Sequence, residues 1–331
     1  MNELYPLKFE PVFKEKIWGG RRLKDVLGKN VGTLDKVGES WELSAFDGSV
    51  SVVSNGFLAG NDLLELVEIY MGDLIGDKVY AQFGIHFPLL IKFIDANDYL
   101  SIQVHPDDEM AIERHNSFGK TEMWYIMDAE DDAELIVGFN QKLDKQKYLQ
   151  VLNSGKIGEV LHREKVRKGD VFFMPAGRVH ATGPGILFAE IQQTSDLTYR
   201  IYDWDRVDAD GNQRELHTEL ALDAIDFEQP KQLKTPYRQE INQRNEVQSC
   251  KYFTTNLLKL NQKIVLNYTW LDSFVVFMGI EGDLDIHFSP GEAPVRLSKG
   301  ETVLVPALID EITLQLLTHE AKVLEVYLPM E

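Results

Sequence analysis

The sequence predicts a mainly β protein with an internal duplication and a few inserted helical segments. Three observations lead to this fold class. Most of the chain consists of short apolar segments separated by turn residues. Only three longer segments have apolar residues at helical spacing. A nine-residue pattern occurs twice, in the same order relative to a second apolar segment. Strands and helices do not alternate regularly, so a βαβ protein is not expected.

The predicted strands have either alternating apolar and polar residues or a short continuous apolar run bounded by turns. They cover residues 40–46, 50–54, 88–94, 99–104, 122–127, 133–139, 170–174, 186–192 and 198–202. Helices are predicted after Asn61 as N-cap, with Gly72 beyond the end, and over 140–152 and 216–225. They lie in insertions of about 58–85, 140–163 and 212–227.

The duplication rests on KGDVFFMPA at 168–176 and KGETVLVPA at 299–307. Upstream, the apolar segment WYIM at 124–127 is similar to VVFM at 275–278. The second copy has Glu311 where the first has His180, and no Gln-x-His motif precedes it. We therefore expect a catalytic domain over 1–235 and a C-terminal domain without metal ligands over 240–331. The polar stretch 228–248 is the predicted linker.

Composition excludes several classes of partner. The 331-residue chain carries a net charge of −19, which argues against nucleic acid or an anionic membrane surface as a partner. Its one cysteine, Cys250, cannot form an intramolecular disulfide and is expected to be a small packing residue. The N-terminus lacks the pattern of a signal peptide, and no apolar run reaches the length of a membrane span. A soluble cytoplasmic protein is expected.

The most informative motif is Gln103-Val104-His105, at the end of a predicted strand. Successive strand side chains point to opposite faces, so Gln103 and His105 project together. With Glu122 and His180 they could form a nitrogen and oxygen ligand set, which suits a catalytic divalent metal better than a structural zinc. The alternative for His105 is a hydrogen-bonded strand residue, followed by Asp107 capping a helix over 108–114.

Four motifs together resemble the type I mannose-6-phosphate isomerases of the cupin superfamily, in their short bacterial branch. The similarity covers about residues 7–227, and the rest fits as a degenerate cupin domain. The resemblance implies two cupin-like (jelly-roll) β-barrels with an inserted helical segment. The motifs are Gln103-x-His105-Pro106, Lys120-x-Glu122, Pro175-Ala176-Gly177-x-x-His180 and Glu190 followed ten residues later by Arg200.

The resemblance also implies a function and a site. It implies interconversion of D-mannose 6-phosphate and D-fructose 6-phosphate through an enediol-type intermediate. One Zn²⁺ per chain, or another divalent metal, would be bound by four side chains: Gln103, His105, Glu122 and His180. Three further side chains would surround the sugar phosphate: Lys120, Glu190 and Arg200. Either Lys120 or Glu190 is expected to be the base.

Each of these last three residues has an alternative. Arg200 could pair with Asp203 or Asp205 at the surface, and Lys120 could be a solvated loop residue. Glu190 could have a purely structural partner. Lys92, in an apolar strand, needs an anionic partner and is a secondary candidate for phosphate binding.

Two other functions stay open. An iron-dependent cupin oxygenase is disfavoured by Gln103 in place of a histidine, and a non-catalytic sugar-phosphate sensor would retain the ligand set without turnover. A related sugar phosphate could replace mannose 6-phosphate as substrate. The chain is expected to be a monomer or a homodimer.

Overall fold

The computed structural model describes residues 4–207, 210–230 and 232–329. The predicted fold class, mainly β, is confirmed. Within the described ranges the strands are β1 (Leu7–Glu10), β2 (Val12–Gly20), β3 (Val37–Leu43), β4 (Val52–Val53), β5 (Leu89–Ala96), β6 (Ile102–Val104), β7 (Glu122–Ala129), β8 (Glu134–Phe139), β9 (Leu161–Lys165), β10 (Val171–Met174), β11 (His180–Thr182), β12 (Ile186–Gln193), β13 (Tyr199–Tyr202), β14 (Asn245–Ser249), β15 (Thr254–Leu260), β16 (Ile264–Asn267), β17 (Val275–Glu281), β18 (Leu284–His287), β19 (Val295–Leu297), β20 (Thr302–Val305), β21 (Glu311–Leu316) and β22 (Ala321–Tyr327).

The helices of the same ranges are short. They are α1 (Arg22–Asp25), α2 (Leu63–Ile75), α3 (Asp77–Phe83), α4 (Asp108–His115), α5 (Lys145–Asn153) and α6 (Thr218–Ala224), with a 3-10 turn at Ile157–Val160. Helix α4 begins after Asp107, whose side chain accepts from the Met110 amide, as expected. None of the helices in the described part of the chain is long and apolar enough to cross a membrane.

One detail of the predicted helix after Asn61 is wrong. The N-cap is Asp62, which accepts from the Glu65 amide while Glu65 accepts from the Asp62 amide, a reciprocal capping box. The Asn61 side chain instead donates to the Leu58 carbonyl. The helical geometry is interrupted at Met71, next to Gly72 as predicted, and a second helical stretch then continues to Ile75. The predicted helix 140–152 begins later, after the N-cap Asp144.

The strands form four sheets within the described ranges, with antiparallel pairing between neighbouring strands. Two sheets consist of strands from the first half of the chain, in the orders β10-β7-β12-β5-β3-β2 and β13-β6-β11-β8-β9. The other two contain the strands of the second half, in the orders β14-β15-β22-β17-β20-β1-β4 and β16-β21-β18-β19, and the first of them also takes in β1 and β4. The run β10-β7-β12-β5 thus has the same connectivity as β20-β17-β22-β15, and β6-β11-β8-β9 the same as β16-β21-β18-β19. This repeated order supports the internal duplication.

The register of the two halves also corresponds. Glu190 on β12 lies opposite Lys92 on β5 and Trp124 on β7. At the matching place, Glu325 on β22 lies opposite Asn256 on β15 and Phe277 on β17. The first strand, β1, pairs with β20, so the two halves share a sheet. The boundary between two domains stays a prediction, and residue 231 of the expected linker lies outside the described residues.

Two faces of the six-stranded sheet are covered, which explains why β5 and β12 are buried along their whole length. On one face, Ile91, Phe93 and Ala189 join a core that includes Val276 and Leu324 of the second half. The opposite face carries Lys92, Glu190 and Trp124 because successive side chains alternate between faces. This second face looks toward the five-stranded sheet.

The five-stranded sheet likewise separates apolar from functional side chains. Ile102 and Val104 of β6 pack with Tyr148 of α5 and Ala221 of α6 on the outer face. Gln103, between them, is therefore directed to the inner face, as the alternation predicts. The candidate site lies on this inner side, between the two sheets.

Candidate active site and metal centre

Strand pairing brings the predicted ligands together. His180, the first residue of β11, lies directly opposite Gln103 on β6. Glu122 begins β7 in the facing sheet, and His105 follows β6. The potential ligand atoms of His105, Glu122 and His180 all lie within 4.8 Å of one another. All three residues are buried.

Backbone carbonyls orient both imidazoles. His105 Nδ1 is 2.8 Å from the Leu197 carbonyl oxygen, and His180 Nδ1 is 2.9 Å from that of Arg178. A carbonyl can only accept, so Nδ1 carries the proton in each ring and Nε2 presents its lone pair to the cluster. The Nε2 atoms of His105 and His180 lie 3.6 Å and 3.2 Å from the two oxygens of Glu122. This is how proteins fix histidines that bind metals.

The electrostatics of the cluster match a cation-binding site. Burial lowers the pKa of His105 well below its ordinary value, and the Lys120 ammonium lowers it further. Burial alone would raise the pKa of Glu122, but the Lys120 ammonium outweighs it and holds that pKa well below its usual range. The site therefore presents a neutral imidazole at position 105 and an ionised carboxylate, the protonation states that divalent metals require.

The side chains present fit a divalent ion. Glu122 Oε1 is buried and accepts no hydrogen bond from the described residues, and a buried acceptor without a partner is costly. Gln103 Nε2 lies 3.2 Å from His180 Nε2, and rotation of this amide about its terminal bond would present its oxygen at the same point. Oxygen and nitrogen donors without sulfur suit Zn²⁺ and other divalent ions of moderate softness.

A cavity of about 220 Å³ lies beside the cluster. Its lining includes five cationic and three acidic side chains, an unusual local balance in a chain of net charge −19. The lining residues are Lys16, Trp18, Glu39, Lys92, Ile94, Leu100, Ser101, Gln103, Lys120, Glu190, Asp196, Thr198, Arg200 and Arg214. The cavity thus contains one predicted ligand and all three predicted substrate-site residues.

Lys120 lies where the cluster meets the cavity. Its Nζ is 3.2 Å from His105 Nε2 and also donates to Glu122 Oε2. The residue is only 4% exposed. The alternative of a solvated loop lysine is therefore wrong.

Arg200 and Arg214 also line the cavity. Within the described ranges Arg200 makes no ion pair, and its Nη1 donates to the Glu215 carbonyl at 2.7 Å. Asp203, its suggested partner, instead pairs with Arg206 and Arg214. One carboxylate therefore serves two arginines, and Arg200 lies beside them without an anion. Burial and the nearby Arg214 both lower the pKa of Arg200.

Glu190 belongs to a chain of buried charges along the cavity wall. Its Oε2 is 3.1 Å from Lys92 Nζ, and its Oε1 accepts from the Trp124 indole at 2.9 Å. Lys92 also faces Glu39 at 3.9 Å, and Glu39 pairs with Lys16 at 3.0 Å. Glu190 thus has a structural partner, and it lines the cavity as well. The anionic partner that Lys92 requires is present.

Several lining residues were missed by sequence reasoning. Lys16 lies near the Trp18-Gly19-Gly20 motif and Ser101 adjoins another, neither with a distinguishing pattern. Glu39 belongs to the motif Gly38-Glu39-Ser40-Trp41-Glu42, but its segment mixes polar and apolar residues, so the burial of β3 along its whole length is visible only in the structure. For Arg214, in a polar loop, nothing in the sequence indicated the cavity.

Fold and site together define a class: a mainly β protein with a candidate divalent-metal site opening on a cation-rich cavity. Residues 6–141 match the family model described as phosphomannose isomerase type I, catalytic domain. The chain is 39% identical over 316 residues to the mannose-6-phosphate isomerase ManA of Bacillus subtilis, covering 94% of this chain and 96% of that protein. It is 35% identical over 306 residues to the mannose-6-phosphate isomerase of Streptococcus mutans, with 92% and 93% covered.

The fold is also similar to a solved structure. The crystal structure of the mannose 6-phosphate isomerase from Bacillus subtilis matches with a TM-score of 0.87 and 33% sequence identity, covering 98% of this chain and 99% of that one. This chain belongs to the type I phosphomannose isomerase family.

Proposed function

We propose that the protein interconverts D-mannose 6-phosphate and D-fructose 6-phosphate, using one Zn²⁺ bound by Gln103, His105, Glu122 and His180. The observation that carries this proposal is the buried convergence of two oriented Nε2 atoms and an ionised carboxylate at the edge of a cationic cavity. The names of the relatives at 39% and 35% identity supply the substrate.

The reaction requires a proton to move between C2 and C1 of the sugar. Removing the C2 proton moves its electron pair into a C1–C2 double bond and the carbonyl electron pair onto O1. The hydroxyl proton of O2 then passes to O1, and returning the carbon-bound proton to C1 leaves the carbonyl at C2 of the ketose. A bound divalent ion supplies Lewis acid chemistry, which stabilises negative charge developing on the substrate oxygens. The protein must provide a group that accepts and returns the proton within reach of both carbons.

We assign the proton transfer to Lys120 Nζ, acting as a neutral amine beside the bound divalent cation, rather than to Glu190. Lys120 lies between the ligand cluster and the cavity, next to His105. Both oxygens of Glu190 already have partners, Lys92 and the Trp124 indole. In this arrangement Glu190 fixes Lys92 and the wall of the cavity while Lys120 faces the reacting carbons.

We place the phosphate against Arg200 and Arg214. Both guanidinium groups line the cavity, and Asp203, the carboxylate that pairs with Arg214, already serves Arg206 as well. A phosphate dianion would supply the missing negative charge, and arginine can bind it through two parallel hydrogen bonds. Arg200 Nε is buried without a hydrogen-bond partner among the described residues, so a donor is available.

The proposed reaction is tested with purified protein in a coupled assay for fructose 6-phosphate formation from mannose 6-phosphate. We expect activity to be lost after treatment with EDTA and restored by Zn²⁺. His105→Ala should lose both bound zinc and activity, because one ligand and its orienting bond are removed. Full activity in a metal-free sample would contradict the metal assignment. Tight binding of mannose 6-phosphate without turnover by the zinc-loaded protein would instead support a sensor.

The placement of the phosphate is tested by Arg200→Gln and Arg214→Gln. Each variant should raise KM by on the order of tenfold or more, because a charge-assisted hydrogen bond to the phosphate is lost. Zinc content should remain that of the parent protein. Arg163→Gln is the matched control, since Arg163 pairs with Glu134 outside the cavity. Unchanged KM in both cavity variants would refute this placement.

A further inference from the structure

A carboxylate outside the ligand cluster, Asp108, contacts three separate parts of the chain. Its Oδ1 accepts from the Gly119 amide at 3.1 Å and from Gln193 Nε2 at 2.8 Å. Its Oδ2 accepts from the Tyr252 hydroxyl at 2.6 Å and from Lys251 Nζ at 3.2 Å. One side chain therefore joins the start of α4, the loop before β7, the end of β12 and the second half of the chain.

The loop before β7, residues 116–121, carries Lys120 and is here named the lysine loop. The amides of its last three residues are all bound. The Gly119 amide donates to Asp108, that of Lys120 to the Pro106 carbonyl at 3.1 Å, and that of Thr121 to Gln193 Oε1 at 2.9 Å. Two of these three bonds depend on the Asp108–Gln193 pair.

The loop also packs tightly against the segment that follows His105. A β-carbon added at Gly119 would lie 2.7 Å from the backbone carbon of Asp107 and the amide nitrogen of Asp108. There is no room for a side chain at this position, so the loop follows the start of α4 closely. A shift of α4 would therefore shift the backbone next to Lys120.

The remaining contact comes from the second half of the chain. Tyr252 lies in the turn between β14 and β15, and its hydroxyl is the closest donor to Asp108. The hydroxyl donates to the same carboxylate that holds Gly119 and Gln193. The second half of the chain, which contributes no ligand to the cluster, thus reaches the lysine loop through the hydrogen bonds of Tyr252 and Lys251 to the half-buried Asp108 carboxylate.

We propose that Asp108 and Tyr252 are positioning residues for Lys120, and that through them the second half of the chain holds the lysine loop in place for proton transfer. This inference rests on the proposed function. Lys120 Nζ must keep its place beside His105 to reach the substrate, and small displacements of a reacting group cost large factors in rate. Releasing the loop should lower the rate of the chemical step while zinc and substrate binding persist.

The test uses Tyr252→Phe, Asp108→Ala and Asp108→Asn in the full-length, zinc-loaded protein. Tyr252→Phe should lower kcat by on the order of fivefold and Asp108→Ala by on the order of fiftyfold, with KM and zinc content unchanged. Asp108→Asn keeps an acceptor for the Gly119 amide and should recover part of the loss. Amide hydrogen exchange should become faster in residues 117–121 of Tyr252→Phe and Asp108→Ala.

The matched control is Tyr268→Phe, which also removes a tyrosine bond to a carboxylate, Glu325, but within the second half alone. It should lower overall stability and leave kcat and exchange in the lysine loop unchanged. Parental kcat in Asp108→Ala, or slow exchange in its lysine loop, would overturn the positioning role. An inactive, zinc-loaded parent protein would overturn the proposed function instead, and the exchange measurement would still decide whether Asp108 and Tyr252 hold the loop.

Discussion

Individual buried charges in this protein occur in groups that neutralise one another. Lys92 faces Glu190 and Glu39, and Glu39 reaches Lys16 and the Trp41 indole. Removing one member would leave a buried charge without compensation, which costs more than the pair contributes. The walls of the cavity are therefore set by such pairs. Lys120, which is paired with Glu122, and Arg200 also line the cavity.

Glu39 gives a prediction for the dependence of stability on pH. Burial would raise its pKa, but Lys92 and Lys16 outweigh this and lower it from 4.5 to about 2 in the folded protein. The pKa is thus lower in the folded than in the unfolded chain. Ionised Glu39 therefore adds on the order of 3 kcal/mol to the free energy of unfolding. This contribution is fully present above pH 4.5 and is lost as the pH falls toward 2.

Glu39→Gln should therefore lower the free energy of unfolding at pH 7. The difference from the parent protein should shrink as the pH falls below 4.5. Urea unfolding at a series of pH values measures both effects. Glu113→Gln, at an exposed position of α4, is the control and should leave the curve unchanged. A difference between parent and Glu39→Gln that is independent of pH would show that the ion pairs of Glu39 do not act as described.

At the level of the elements, the sequence indicated most strands of the first half, though not β1, β2, β9 and β11, and it did not indicate how the strands pair. Each of the predicted strands overlaps an observed one, because alternation and apolar runs are local properties. The alternation along β6 also placed Gln103 on the inner face. The partner of a strand depends on the whole sheet, and the pairing that sets Gln103 opposite His180 could not be read from either segment.

The same limit applies to the site. The ligand set and Arg200 were identified because short motifs of this chain resemble those of a known family. The residues of each motif lie within about ten positions of one another. Arg214 approaches the cavity from a loop, and Tyr252 reaches Asp108 from 144 residues away. Contacts of this kind leave no periodic pattern in the sequence, so they are visible only in the folded chain.

At the level of the whole molecule, the two halves share one apolar core. Leu89, Ile91 and Phe93 of β5 belong to the same buried cluster as Val276 and Leu324. The rings of Phe87 and Phe274 meet across the junction, with centroids 4.5 Å apart. Each half thus buries a sheet face that the other half covers, and neither face would be shielded in a separated half.

We therefore expect both halves to unfold in one cooperative transition. Thermal unfolding followed by circular dichroism, by loss of activity and by release of zinc should give the same midpoint. A variant that weakens the shared core, such as Leu324→Ala, should shift all three midpoints together, and its cost is about 2–5 kcal/mol. Two separated transitions would show that the halves are energetically independent.

The pairing of β1 with β20 has a consequence for synthesis of the chain. Residues 9 and 10 pair nearby with 53 and 52, but residues 7 and 8 find their partners only at 304 and 303. Until β20 is translated, this other edge of β1 and the apolar side of β5 remain open to other chains. Contacts between such distant residues slow folding and prolong this exposure. Slow completion of the last strands would thus expose the nascent protein to aggregation at its opposite end.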